Sequence, residues 1–144
     1  SNAMVVIAAS QSPRPNHVSL RQSETLPMNA TASGQAFLAF APPVVLEHVL
    51  AQPLHVFTPN TAATPKDLLA AVKQVRSAGF AVVDKSYDDD VFGIAVPIFG
   101  SNTAVAIGAL AVASPRHRMT EAVKSMIMSE LAATARELSR RIGN

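Results

Sequence analysis

The chain has 144 residues, 49% hydrophobic, 15% charged and 5% aromatic, a balance that fits one folded domain and excludes a disordered tail or a repeat array. Twelve Lys+Arg against ten Asp+Glu give a formal net charge of +2, too slight to point to nucleic acid. The lack of cysteine excludes disulfides, thiolate zinc sites and thiol nucleophiles, and a reducing, cytoplasmic setting is expected.

Ser1-Asn2-Ala3 ahead of Met4 reads as a cloning scar, which leaves 4–144 as the domain. Met4–Ala9 is a short apolar run and is expected to be a buried strand. No apolar run reaches the roughly 18 residues of a membrane span, so no membrane partner is expected. Pro13 and Pro15 make 10–16 a loop, because proline suits neither helix interior nor strand ladder. His17–Arg21 alternates polar and apolar residues and predicts a second strand. Thr31–Ala41 predicts a helix with Thr31 or Ser33 as N-cap. Pro42-Pro43 closes it and opens a short helix through Leu50.

Thr64-Pro65-Lys66-Asp67 is the clearest local signal. It sets an N-cap, a first-turn proline and an anion at the positive end of a helix. Leu68, Val72 and Val75 face inward, and Gly79 ends the helix. Three strands follow at Phe80–Asp84, Val91–Phe99 and Thr103–Ala113, joined by the acidic connection Ser86–Asp90 and the turn Gly100-Ser101-Asn102. The third is apolar throughout, so cover on both faces is expected, with Ser114-Pro115 ending it. Thr120 caps a final helix with the stripe Ile127, Leu131, Ala135, Leu138 and Ile142; Arg136, Arg140 and Arg141 lie near its C-terminus and Gly143 stops it. Hairpins flanked by helices, without regular βαβ alternation, indicate an α+β fold: an antiparallel β-sheet flanked by α-helices.

Chemical motifs are sparse. His17, His48, His55 and His117 show no metal-ligand spacing, so no metal and no cofactor are expected. Asp88-Asp89-Asp90 lacks the alternating spacing of a calcium loop and reads as a solvated connection. No nucleophile elbow, phosphate loop or dinucleotide fingerprint occurs, and no acid–base pair converges, so the chain is not expected to be an enzyme. The segment Ala30-Thr31-Ala32-Ser33-Gly34-Gln35 carries small residues at a helix start. Free amides there would seat a carboxylate or carbonyl, whereas close helix–sheet packing demands the same small side chains. Both readings stay open at this point.

Several stretches in order make a pattern: Leu26–Ala36, Phe57-Thr58-Pro59-Asn60-Thr61, Ser77–Val82, Ile94-Ala95-Val96-Pro97, Ser114-Pro115 with Arg118-Met119-Thr120, and Ala135–Gly143. Across about residues 5–143 the chain resembles the C-terminal effector-binding domain of IclR-type transcriptional regulators. The resemblance implies a GAF/profilin-like fold that senses a small-molecule effector and assembles as a homodimer or homotetramer. It also implies N-terminal truncation: the winged helix-turn-helix that contacts DNA, and a helix and strand ahead of Met4, lie outside the sequence.

The resemblance places effector-binding positions at Ala32, Ser33, Gly34, Val83, Gly93, Ala111 and Ala113. The sequence departs from the family's polar pattern at most of them. Val83 stands at an acidic position with Asp84 beside it. Gly93 stands at a polar strand position after Phe92, where arginine is usual, and Ala111 and Ala113 replace a serine pair. The implied pocket is apolar and keeps amide donors, which favours a ligand with an apolar body and one carboxylate or carbonyl end. The competing reading is an interaction module without effector, in which bulky neighbours such as Phe92 fill the same space.

Overall fold

The computed structural model of the chain describes residues 3–14 and 18–142. Strands β1 (Ala3–Val5) and β2 (Thr25–Pro27) form an antiparallel pair with Met4 opposite Leu26. Helices α1 (Ala32–Phe40), α2 (Pro43–Leu50) and α3 (Pro65–Ala78) follow. An antiparallel meander then runs through β3 (Ala81–Asp84), β4 (Val91–Phe99) and β5 (Ala106–Pro115), in the order β3-β4-β5. A 3-10 turn at Arg116–Arg118 leads into the long helix α4 (Glu121–Ile142).

Local chemistry explains the helix ends. Thr31 accepts a hydrogen bond from the Gly34 N–H at 3.2 Å, and Thr64 accepts one from the Asp67 N–H at 3.1 Å. Each satisfies a first-turn donor that the helix itself cannot. Gly79 closes α3 at φ +84°, the left-handed region where a side chain is costly. Thr120 caps α4 by accepting from the Val123 N–H at 3.2 Å.

The meander has two unlike faces, because side chains alternate along a strand. Ala81, Val83, Ala95 and Ala109 turn toward α1 and α3, joining a core centred on the fully buried Leu38, Leu68, Val49 and Val72. Val82, Ile94, Val96, Leu110 and Val112 turn the other way, onto Leu131 and Ala135 of α4. One face is built of small side chains and the other of large ones. The small face lets α1 lie close against the sheet.

Five expectations are corrected. The Met4–Ala9 run is a strand only as far as Val5, and Ile7 is 82% exposed, because the run lies at the rim of an open cleft of about 690 Å³ opposite Ala109–Pro115. The expected second strand at 17–21 lies partly outside the described residues, and 18–21 is irregular. Ser23 turns the chain at φ +72°, and Thr25–Pro27 pairs instead. Strand β5 starts at Ala106 rather than Thr103, since Asn102 at φ +51° extends the turn. It is also an outer strand of its sheet, with Ile107 53% exposed, so its faces are only partly covered. In α4 only Leu131 and Ala135 of the expected stripe are buried, and Ile142 is 52% exposed. Gly143 lies outside the described residues.

Candidate functional site

Strand register assembles the site. Val83 pairs with Gly93 and Gly93 with Ala113, so these three form one row across the meander. Ala111 belongs to the next row, opposite Ala95. Helix α1 begins above these rows. Between them lies a cavity of about 270 Å³, lined by Ala32 and Ser33 of α1, Val83, Gly93, Ala111 and Ala113. Six of the seven positions singled out in the sequence therefore meet in one place, although they come from four separate elements.

Gly34 is placed elsewhere. A Cβ on it would sit 2.3 Å from the carbonyl oxygen of Met28, so this glycine permits the close approach of α1 to the chain ahead of it. Its N–H is taken by the Thr31 hydroxyl, and the Gln35 N–H by the Thr31 carbonyl at 3.1 Å. The N–H groups of Ala32 and Ser33 meet no acceptor among the described residues. They are the two donors left at the positive end of the α1 dipole. The small residues of this segment thus divide: Gly34 serves packing, and Ala32 with Ser33 faces the cavity.

The remaining wall is mainly apolar, with Val18, Leu20, Leu26 and Val91, and Ser19 and Thr31 add hydroxyls. Among the described residues, no lysine, arginine or histidine lines it. Glu24, Tyr87 and Asp88 add the polar groups that the sequence reading left out. Asp88 accepts from the Asp90 N–H at 2.9 Å and Glu24 from the Arg21 N–H at 3.0 Å. Tyr87 lay hidden in an acidic stretch that reads as solvated loop; that it is the chain's one tyrosine was the available signal. Phe92 is not a plug. It turns to the α4 face, where Lys124 stands 5.6 Å above its ring.

The Phe57–Thr61 loop holds the rim in place. Thr58 donates to the Lys85 carbonyl, Asn60 to the Asp84 carbonyl at 3.1 Å, and Thr61 to the Ser86 carbonyl at 2.6 Å. Three consecutive carbonyls ahead of Tyr87 are thereby fixed. Asp84 points away from the cavity to Arg116, whose guanidinium hydrogen bond holds its carboxyl below the usual range, while Asp84 raises Arg116 in return. Among the described residues, no group of three or more His, Asp or Glu is arranged to hold a metal. Nor is any of their helices long and apolar enough to cross a membrane.

Comparison with known proteins agrees with this architecture. The family profile described as "Bacterial transcriptional regulator IclR C-terminal" matches residues 1–140. The Pca operon regulatory protein of Acinetobacter baylyi is 32% identical over 133 residues, covering 91% of this chain and 48% of that protein. The chain thus spans about half the length of the curated relatives it matches. A crystal structure of an IclR-type transcriptional regulator from Silicibacter sp. superposes with a TM-score of 0.89 at 37% identity, covering 100% of this chain and 57% of the other. An IclR homologue from Microbacterium hydrocarbonoxydans, solved with 4-hydroxybenzoate, has a TM-score of 0.76 at 26% identity and covers 97% of this chain and 59% of its own. These relatives are transcriptional regulators, not enzymes. The chain belongs to the IclR family of bacterial transcriptional regulators and corresponds to their C-terminal domain.

Proposed function

We propose that residues 4–144 are the effector-sensing and oligomerisation domain of such a regulator, with the effector seated in the cavity between α1 and the meander. The observation that carries this is the convergence of Ala32, Ser33, Val83, Gly93, Ala111 and Ala113 on one space beside two unpaired helix amides. The amides and the helix dipole receive a carboxylate or carbonyl. The aliphatic wall receives an apolar body. A small hydrophilic acid would leave its other polar groups unmatched at about 1–3 kcal/mol each, so it is disfavoured. The 4-hydroxybenzoate bound to the Microbacterium homologue has the favoured shape, an apolar ring with one carboxylate. In the cell the domain acts as a homodimer or homotetramer in the cytoplasm. It passes the ligand signal to a DNA-contacting part outside this chain.

A thermal-shift titration tests the reading. Benzoate or a branched-chain acid at a hundredfold excess over Kd stabilises the chain by about 2.7 kcal/mol, a shift of several degrees in Tm. Glyoxylate and pyruvate give none. Gly93→Leu fills the cavity and removes the response. Stabilisation by glyoxylate or pyruvate alone, or a response that survives Gly93→Leu, contradicts the proposal.

A further inference from the structure

We infer that Tyr87 is the specificity-determining residue of this cavity and selects acids whose apolar body is a planar aromatic ring; the inference rests on the effector-sensing reading above. Among the described residues that line the cavity, Tyr87 is the one aromatic. Every other apolar contact among the described lining residues comes from Val, Leu, Ala or Gly, which offer no aromatic face. A π-face adds an attraction for a flat aromatic ring that a saturated ring of similar size does not gain.

The Tyr87 ring is also held rather than loose. It packs against the Phe57 ring with centroids 4.9 Å apart at 78°, the T-shaped arrangement that aromatic quadrupoles favour. The turn before it is fixed through the carbonyls of Asp84, Lys85 and Ser86, taken by Asn60, Thr58 and Thr61. A ring ordered before the ligand arrives loses little entropy on contact. The cavity, at about 270 Å³, lies just under the range of roughly 300–1,000 Å³ common for drug-sized ligands, which suits one ring with its carboxylate.

Calorimetry with benzoate and with cyclohexanecarboxylate separates planarity from bulk. The unmodified chain is expected to prefer benzoate roughly two- to tenfold, the scale of one aromatic pair. Tyr87→Leu abolishes the preference, weakening benzoate more than cyclohexanecarboxylate, and Tyr87→Phe keeps the preference because the ring remains. A second readout uses the composition: one tyrosine and no tryptophan make Tyr87 the sole source of tyrosine emission. Cyclohexanecarboxylate, which does not absorb in that range, is expected to change the emission saturably. Equal affinity for the two acids, a preference that survives Tyr87→Leu, or constant emission at saturation overturns this inference alone. Failure of both acids to bind overturns it together with the effector-sensing reading.

Discussion

At Gly34 and Gly93 the same residue type does two different things. A Cβ at Gly34 meets the Met28 backbone at 2.3–2.6 Å, and backbone cannot swing aside. At Gly93 the nearest atoms are side-chain carbons, Val83 Cγ2 at 3.1 Å and Ala32 Cβ at 3.3 Å. Gly34→Ala is therefore expected to destabilise the fold by about 2–3 kcal/mol despite alanine's better helix propensity, the scale of an overpacked core. Urea denaturation checks this, with Gly93→Ala as the milder comparison. A Gly34→Ala chain as stable as the parent would refute the packing role. The sequence shows the small residues of 32–34 but not their division of labour. Close packing and ligand access ask for the same small side chain, and only the position of Met28 separates them.

At the level of elements, the capped helices were the most legible part, since each boundary rests on residues within a few positions of one another. Thr64, Pro65, Asp67 and Gly79 delimit α3 without any help from tertiary structure. The first strands were not legible for the opposite reason. Which of two short apolar runs pairs with Ala3–Val5 depends on the turn at Ser23 and on long-range contact, and neither leaves a periodic trace. The Phe57–Thr61 loop shows the same limit. Its residues carry the family resemblance, but their work is done on partners more than 20 positions away. Thr61 Oγ1 accepts from the N–H groups of Phe57 and Thr58 at 3.1 and 3.0 Å while donating to Ser86. Thr61→Val keeps the shape and orphans these groups, at an expected cost of roughly 2–4 kcal/mol. Because the turn ahead of Tyr87 loosens too, ligand affinity falls alongside stability. Paired denaturation and calorimetry follow both.

For the whole molecule, the Asp84–Arg116 pair ties the end of β3 to the segment after β5, closing the meander across its open corner. Asp84 titrates lower in the folded chain than the roughly 3.9 of an unfolded one. A carboxyl shifted down stabilises the fold above its unfolded value and loses that contribution as pH falls through its folded value. The stability difference between the parent and Asp84→Asn should therefore be level above about pH 5 and fade as the pH falls through the lowered folded value of Asp84. Urea midpoints across that span measure it. The pair is well exposed, so the difference is small and shrinks further in salt. A difference that grows on acidification would contradict the assignment.

The alternation along β3, β4 and β5 has a consequence for how such a regulator changes over time. On β4, Val91 and Gly93 face the cavity while Ile94 and Val96 hold α4, so cavity lining and core packing fall on interleaved positions of one strand. Exchanges at Val83, Gly93, Ala111 or Ala113 re-letter the pocket without disturbing the opposite core. If the cavity seats the effector as proposed, single replacements there change the ligand while the packing against α4 is kept.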